Sequence, residues 1–251
     1  RCFASSILVD GRPAGQLPEP RWAHSATTVG DRLLVVGGSV DDPELSPPRI
    51  AATGWISLGA DGPDWSPAPQ PATPRAWHAA ALWRDGVVIA GGRAADASTR
   101  SVEYLAGGAT AWTALPSLPV PVHGGTLVSA AGRLVFAGGA EGSGCGPDCA
   151  KDCAEDEDCR AVALCTPMSF CVGGRGEVWS LGDGADRWSV LPATAGAGAS
   201  VTPLADGSVL VAGGFLDGAA LGTIWLVRGP DARRAGTFLP RFDHSAILGA
   251  D

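Results

Sequence analysis

The sequence predicts an all-β fold assembled from repeated four-stranded antiparallel sheets. Three observations predict it. The segment "RWAHSATTVGDRLLVVGG" (21–38) returns as "RAWHAAALWRDGVVIAGG" (75–92), "VPVHGGTLVSAAGRLVFAGG" (120–139) and "AGASVTPLADGSVLVAGG" (197–214). Short runs rich in Val, Ile, Leu, Thr and Trp, bounded by Gly, Pro and Asp, read as strands, and no capped stretch of helical period competes with them. Gly 36 and Pro 20 in 251 residues suit a chain of many short strands and turns.

Within a unit the elements follow in a fixed order. Strand one leads through a turn, signalled by "GDR", "RDG", "AAG" or "ADG", into strand two. Strand two ends in a glycine doublet: Gly37–Gly38, Gly91–Gly92, Gly138–Gly139 and Gly213–Gly214. A variable loop follows, and then strand three: "GWISLG" (54–59), "SVEYLA" (101–106), "GEVWSLG" (176–182) and "GTIWLVRG" (222–229). A short fourth strand leaves through "DWSPAP", "AWTALP", "RWSVLP" or "AGTFLP". The interval between the last two doublets is long because it contains a cysteine-rich segment. Residues 3–20 read as the back half of a unit, and "PRFDHSAILGAD" (240–251) as the start of another. The chain starts at Arg1, without an initiator Met, so a mature form or a fragment is expected. The gene is expected to continue past Asp251 for one or more units.

Bulk properties narrow the function classes. Charged residues are 18%, too few for a disordered polyelectrolyte, and the length suffices for a substantial core. The net charge of −8 argues against nucleic acid, whose phosphates need a basic surface. No apolar run is long enough for a transmembrane helix. A single domain over 1–251 is expected, with an insert at 141–175.

The Arg-x-x-His start, the apolar strand ending in Gly-Gly, the aromatic of strand three and the Trp-x-x-Leu-Pro exit resemble kelch repeats over nearly the whole chain outside 141–175. That resemblance implies a β-propeller with one four-stranded antiparallel sheet per blade: four complete units, with partial units at both termini. Blades bury their faces only by stacking on neighbours. The doublet has a backbone reason as well, since glycine accepts positive φ and a close neighbouring chain.

His24, His78, His123 and His244 read as one repeat position at the start of strand one. A metal set there would need convergence on one ion; a structural hydrogen bond at the blade interface is the plainer reading, and the fourth unit has Ala199-Ser200 instead. Arg21, Arg75 and Arg241 precede three of these histidines, with Val120 in the third unit. By the resemblance, Arg21, Trp22, Arg75, Trp77, Arg241 and Phe242 are candidates to rim a binding face, in residue types favoured at interfaces. The competing role is to fix the turn between blades. Trp65, Trp112 and Trp188, and Trp55, Tyr104, Trp179 and Trp225, read as packing aromatics. Kelch enzymes include a copper radical oxidase and a sialic acid epimerase. The oxidase site needs several tyrosines, and the chain has one, Tyr104. No nucleophile elbow, phosphate loop or zinc-protease motif occurs. Asp31, Asp85 and Asp206 lie in turn positions.

Cys145, Cys149, Cys153, Cys159, Cys165 and Cys171 fall in one acidic segment, leaving only Cys2 elsewhere. Three disulfides are expected, with connectivity left open. Zinc would want paired knuckles or histidines, which the spacing lacks. Asp148, Asp152, Asp156 and Asp158 offer oxygen ligands for a weak calcium site, although no EF-hand loop is present; a solvated acidic face is the alternative. No other cofactor is implied. Disulfides imply an oxidising compartment: extracellular, periplasmic or cell surface. The expected function is a binding scaffold for protein or glycan through the loop face. The alternatives are a sugar-modifying enzyme with a channel-mouth site and a structural module of a longer surface protein.

Overall fold

The structure, a computed structural model, describes residues 6–9, 12–40, 49–59, 62–94, 97–141 and 173–241. The described residues form strands, bridges and turns without a helix. An N-terminal hairpin pairs β1 (Ser6–Val9) with β2 (Arg12–Gln16). The first unit forms one antiparallel sheet from β3 (Ser25–Val29), β4 (Arg32–Val36), β5 (Gly54–Gly59) and β6 (Gly62–Pro67), in chain order. The second unit contains β7 (Ala79–Trp83), β8 (Gly86–Ala90), the two-residue strands β9 (Arg93–Ala94) and β10 (Ala97–Ser98), then β11 (Val102–Leu105) and β12 (Thr113–Leu115). Its sheet runs β7-β8-β11-β12, and β9–β10 is a separate small hairpin.

The third unit repeats this plan with β13 (Thr126–Ala130), β14 (Arg133–Ala137), the short pair β15 (Ala140–Glu141) and β16 (Gly173–Gly174), β17 (Glu177–Gly182) and β18 (Ser189–Thr194). The fourth has β19 (Ser200–Pro203), β20 (Val209–Ala212), the short pair β21 (Phe215–Leu216) and β22 (Ala219–Ala220), β23 (Thr223–Arg228) and β24 (Asp231–Thr237). The expected strand runs therefore form, with trimmed ends. Part of what reads as variable loop is in fact a short hairpin in units two, three and four.

The four sheets stack in chain order. β3 lies beside β7, β7 beside β13, and β13 beside β19, while β2 packs on β6 and β18 on β24. Strand two explains why stacking is needed. All five residues of β8 are buried, because units one and three cover both faces of its sheet. Toward unit one, Val87 and Ile89 join Leu34 and Val36. Toward unit three, Val88 and Ala90 join Leu127, Phe136 and Trp179. In β20, Val209 and Val211 are buried toward unit three, whereas Leu210 and Ala212 stay half-buried.

Candidate functional site

The segment leading into each strand one pairs with the residues just after the same unit's glycine doublet. The bridges are Trp22 with Ser39, Ala76 with Arg93, His123 with Ala140, and Ala197 with Phe215. Strand-one leads and short hairpins thus share one end of the stack, called here the loop end. The cysteine-rich segment starts and finishes there, where Glu141 pairs with Gly173. Cys2, Cys145, Cys149, Cys153, Cys159, Cys165, Cys171, Asp148, Asp152, Asp156, Asp158, Phe242 and His244 all lie outside the described residues.

These bridges correct the repeat register. Trp22, Ala76, His123 and Ala197 are equivalent, and the next residue has positive φ in every unit: Ala23 (53°), Trp77 (52°), Gly124 (66°) and Gly198 (67°). His24 and His78 come after that position, but His123 comes before it; its unit carries Gly125 there. Arg75 is matched in the third unit by Val122, not Val120. The doublets show the same register. Gly38 N–H donates to Arg75 O (3.1 Å), Gly92 N–H to Val122 O (2.8 Å) and Gly214 N–H to Arg241 O (2.9 Å). A Cβ on Gly37, Gly91 or Gly138 would collide with the Arg75, Val122 or Gly196 carbonyl of the next unit.

Arg21 and Arg75 do not rim a surface. They are 4% and 0% exposed, and their guanidiniums are consumed inside their own units. Arg21 donates to Gly37 O (3.2 Å) and Ala52 O (2.6 Å). Arg75 donates to Thr73 O (2.8 Å), Gly91 O (3.0 Å) and Ser101 O (2.8 Å), and is ion-paired with buried Glu103. Glu103 also accepts from the Ala72 and Thr73 amides. A buried charge needs such partners, so this arginine position fixes the turn into strand one. Arg241 is exposed, and its Nε donates to Leu239 O (3.2 Å).

The histidines also bond within the stack. His78 Nε2 is 2.7 Å from Ser25 Oγ of the preceding unit, and His123 Nδ1 is 2.7 Å from Ser98 Oγ. Burial, then the Arg75 charge, pushes His78 down to about 3. Burial, then Arg93, pushes His123 down to about 4. His24 is exposed. Among the described residues, no group of three or more His, Cys, Asp or Glu is arranged to hold a metal ion.

The tryptophans divide. Trp112 Nε1 donates to Pro69 O and Trp188 Nε1 to Pro116 O, both at 2.8 Å, tying each exit to the preceding unit. Trp22 and Trp77 are half-buried at the loop end, edge to face at 85° with centroids 4.4 Å apart. The Arg93 guanidinium lies 5.6 Å from the Trp77 ring. A row therefore crosses three units: Trp22, Trp77, Arg93, His123 and Ser98. It supplies aromatic surface, one cation and a hydroxyl–imidazole pair. Arg93 and Ser98 were missed in the sequence because they follow a doublet in what reads as loop; the Arg directly after Gly91–Gly92 was the available signal.

No protein-family model and no curated protein matches the chain. The fold is similar to the solved structure of YjhT, at 14% sequence identity and a TM-score of 0.61, over 91% of this chain and 69% of that one. At that identity the likeness concerns the fold alone: a propeller-like, all-β arrangement of repeated sheets. No helix among the described residues is long and apolar enough to cross a membrane.

Proposed function

We propose that the chain is a kelch-repeat β-propeller that acts outside the cytoplasm as a binding scaffold, taking a protein or glycan at its loop end. The cysteine-rich segment is a disulfide-stapled recognition element at that end. One observation carries the reading. The half-buried Trp22–Trp77 pair stands at the same end of the stack as the β15–β16 hairpin from which the segment departs. Partly exposed aromatics beside a variable loop on a rigid scaffold are what a binding face requires. Propeller closure, with the β1–β2 hairpin as the outer half of a further blade, belongs to this proposal; the packing of β2 on β6 supports it.

Two experiments test it. Intact mass after thiol alkylation, with and without reduction, is expected to show six cysteines reacting only once reduced. Free thiols in protein from an oxidising host would overturn the stapled segment and the compartment. Binding screens with the intact chain and with a chain lacking residues 142–172 come second. Ligands captured equally by both would remove the segment from the site.

A further inference from the structure

We infer that the junction between units three and four holds a binding site for a small aromatic carboxylate, with Arg133 as its anion partner. The site lies at the end of the stack opposite the loop end and is independent of the binding face proposed there.

Register across the repeats is the first reason. The turn between strands one and two passes through Gly30, Arg84 and Ala131, all at positive φ (62°, 54° and 47°). The residue before it is Trp83 in unit two and Ala130 in unit three. Strand three gives a second comparison. Trp55 pairs with Leu34, Tyr104 with Val88 and Ser180 with Val135, each opposite the third residue of strand two. Unit two fills its junction with unit three using Trp83 and Tyr104, edge to face with centroids 5.6 Å apart. Unit three has Ala130 and Ser180 in their places.

The space left by that exchange is the second reason. A cavity of about 140 Å³ lies between units three and four, walled by Ala130, Ala131, Val135, Val209 and Val227, with Arg133 at its side. An apolar cavity of about 150 Å³ stays dry and takes one benzene ring. The walls reward a flat apolar body that regains the missing dispersion contacts. A disaccharide or nucleotide is too large, and a bare inorganic anion would leave the apolar wall uncovered.

Arg133 supplies the charge. It is half-buried, and among the described residues its hydrogen bond runs from Nε to Ser180 Oγ (3.0 Å). Its Nη1 and Nη2 remain as parallel donors, the geometry that takes a carboxylate bidentately. Asp206, beside Gly207 in the wall, is occupied by Ser208 and Arg228. Unit one shows what completes such an arginine: Arg32, also first in strand two, lies 4.4 Å from the Trp55 ring. Ser180 brings no ring to Arg133, so a ligand's ring takes that role, with a cation–π gain.

The test is an NMR titration of the full chain with benzoate and with benzamide, its uncharged counterpart, alongside melting curves. Benzoate is expected to bind with a dissociation constant of about 1 mM or tighter, and benzamide about tenfold more weakly or worse, because it cannot accept the charged pair of hydrogen bonds. Arg133→Gln should weaken benzoate about tenfold or more and leave benzamide nearly unchanged. Ala130→Leu should fill the space, weaken both ligands and melt at or above wild type, as cavity filling does. Equal binding of the two ligands, or no saturable benzoate binding, overturns the inference; both are read on the wild-type chain, so a poorly folded variant does not spare it. Undiminished benzoate binding in folded Arg133→Gln overturns it too. Removing residues 142–172 is expected to leave benzoate binding intact. Loss of binding there would move the site to the loop end and overturn this one.

Discussion

Arg75 and Glu103 show how one residue position sets the start of a blade. The guanidinium binds three carbonyls and a carboxylate, and the carboxylate holds two amides of the segment that precedes Arg75. Removing one partner strands the other's charge without water, so Glu103→Gln is expected to cost about 3 kcal/mol or more in denaturant unfolding. Arg75→Met combined with Glu103→Leu should cost less than the two single losses added. Arg75→Lys will not rescue, since an ammonium lacks the planar fork. The glycine doublets are equally specific. Gly91 has φ 63°, and a Cβ there would meet the Val122 carbonyl; Gly91→Val should therefore lower stability by about 3 kcal/mol. An unchanged melting temperature would reject that backbone role. The histidines set the acid limit. His78 and His123 have folded pKa values near 3 and 4, below the ordinary value of 6.5. The unfolded chain thus takes up protons first, and stability falls as pH drops below about 6.5, by about 1.4 kcal/mol per pH unit for each histidine, until the folded values are reached. Urea titrations at pH 7, 6 and 5 check this, and His123→Gln should make the slope shallower without abolishing it, since burial also lowers His78 and His24.

At the scale of the element, strands were legible because glycine doublets and Val/Ile/Leu runs report backbone demands directly. Register was less legible. In the third unit His123-Gly124-Gly125 resembles the His of the other units by residue type, but the positive-φ position belongs to Gly124, which displaces the histidine by two places from His24 and His78. The arginines misled for a related reason. A repeated Arg looks the same in sequence whether it faces a partner or a ring of carbonyls. The short hairpins escaped notice because two-residue strands carry no periodicity. Their geometry yields a prediction. In unit four the equivalent hairpin turns through Asp217-Gly218, both at positive φ, the pattern of a type I′ turn. Replacing residues 142–172 by Asp-Gly should therefore let β15 and β16 close in the same way. The product is expected to melt within a few degrees of the parent, since loop length is thermodynamically cheap. Loss of the β signature in circular dichroism would make the segment part of the core.

Across the whole molecule, apolar packing is uneven. The largest cluster joins units two and three through Trp83, Phe136, Trp179 and Trp188, whereas the N-terminal side offers the two-stranded β1–β2. Stacked units interact with their neighbours only, so protection should grade along the chain. Native-state hydrogen exchange is expected to be slowest in β8, β14 and β17 and fastest in β1 and β2; uniform protection would show that the stack opens as one body. The junction between units has a further consequence. Gly38, Gly92 and Gly214 each reach across to a carbonyl oxygen, and the residue supplying it is Arg, Val or Arg. The weld is made by main chain, so the side chain at that place is released from the joint. A unit of this kind can be given a foreign loop at its two-residue hairpin without recutting its neighbours, whereas exchange of a whole unit must keep the apolar faces and the Trp112 and Trp188 indoles that reach the preceding unit. The paired Glu141 and Gly173 are already such a socket, and a peptide of unrelated sequence spliced between them would be displayed on a frame that does not depend on it.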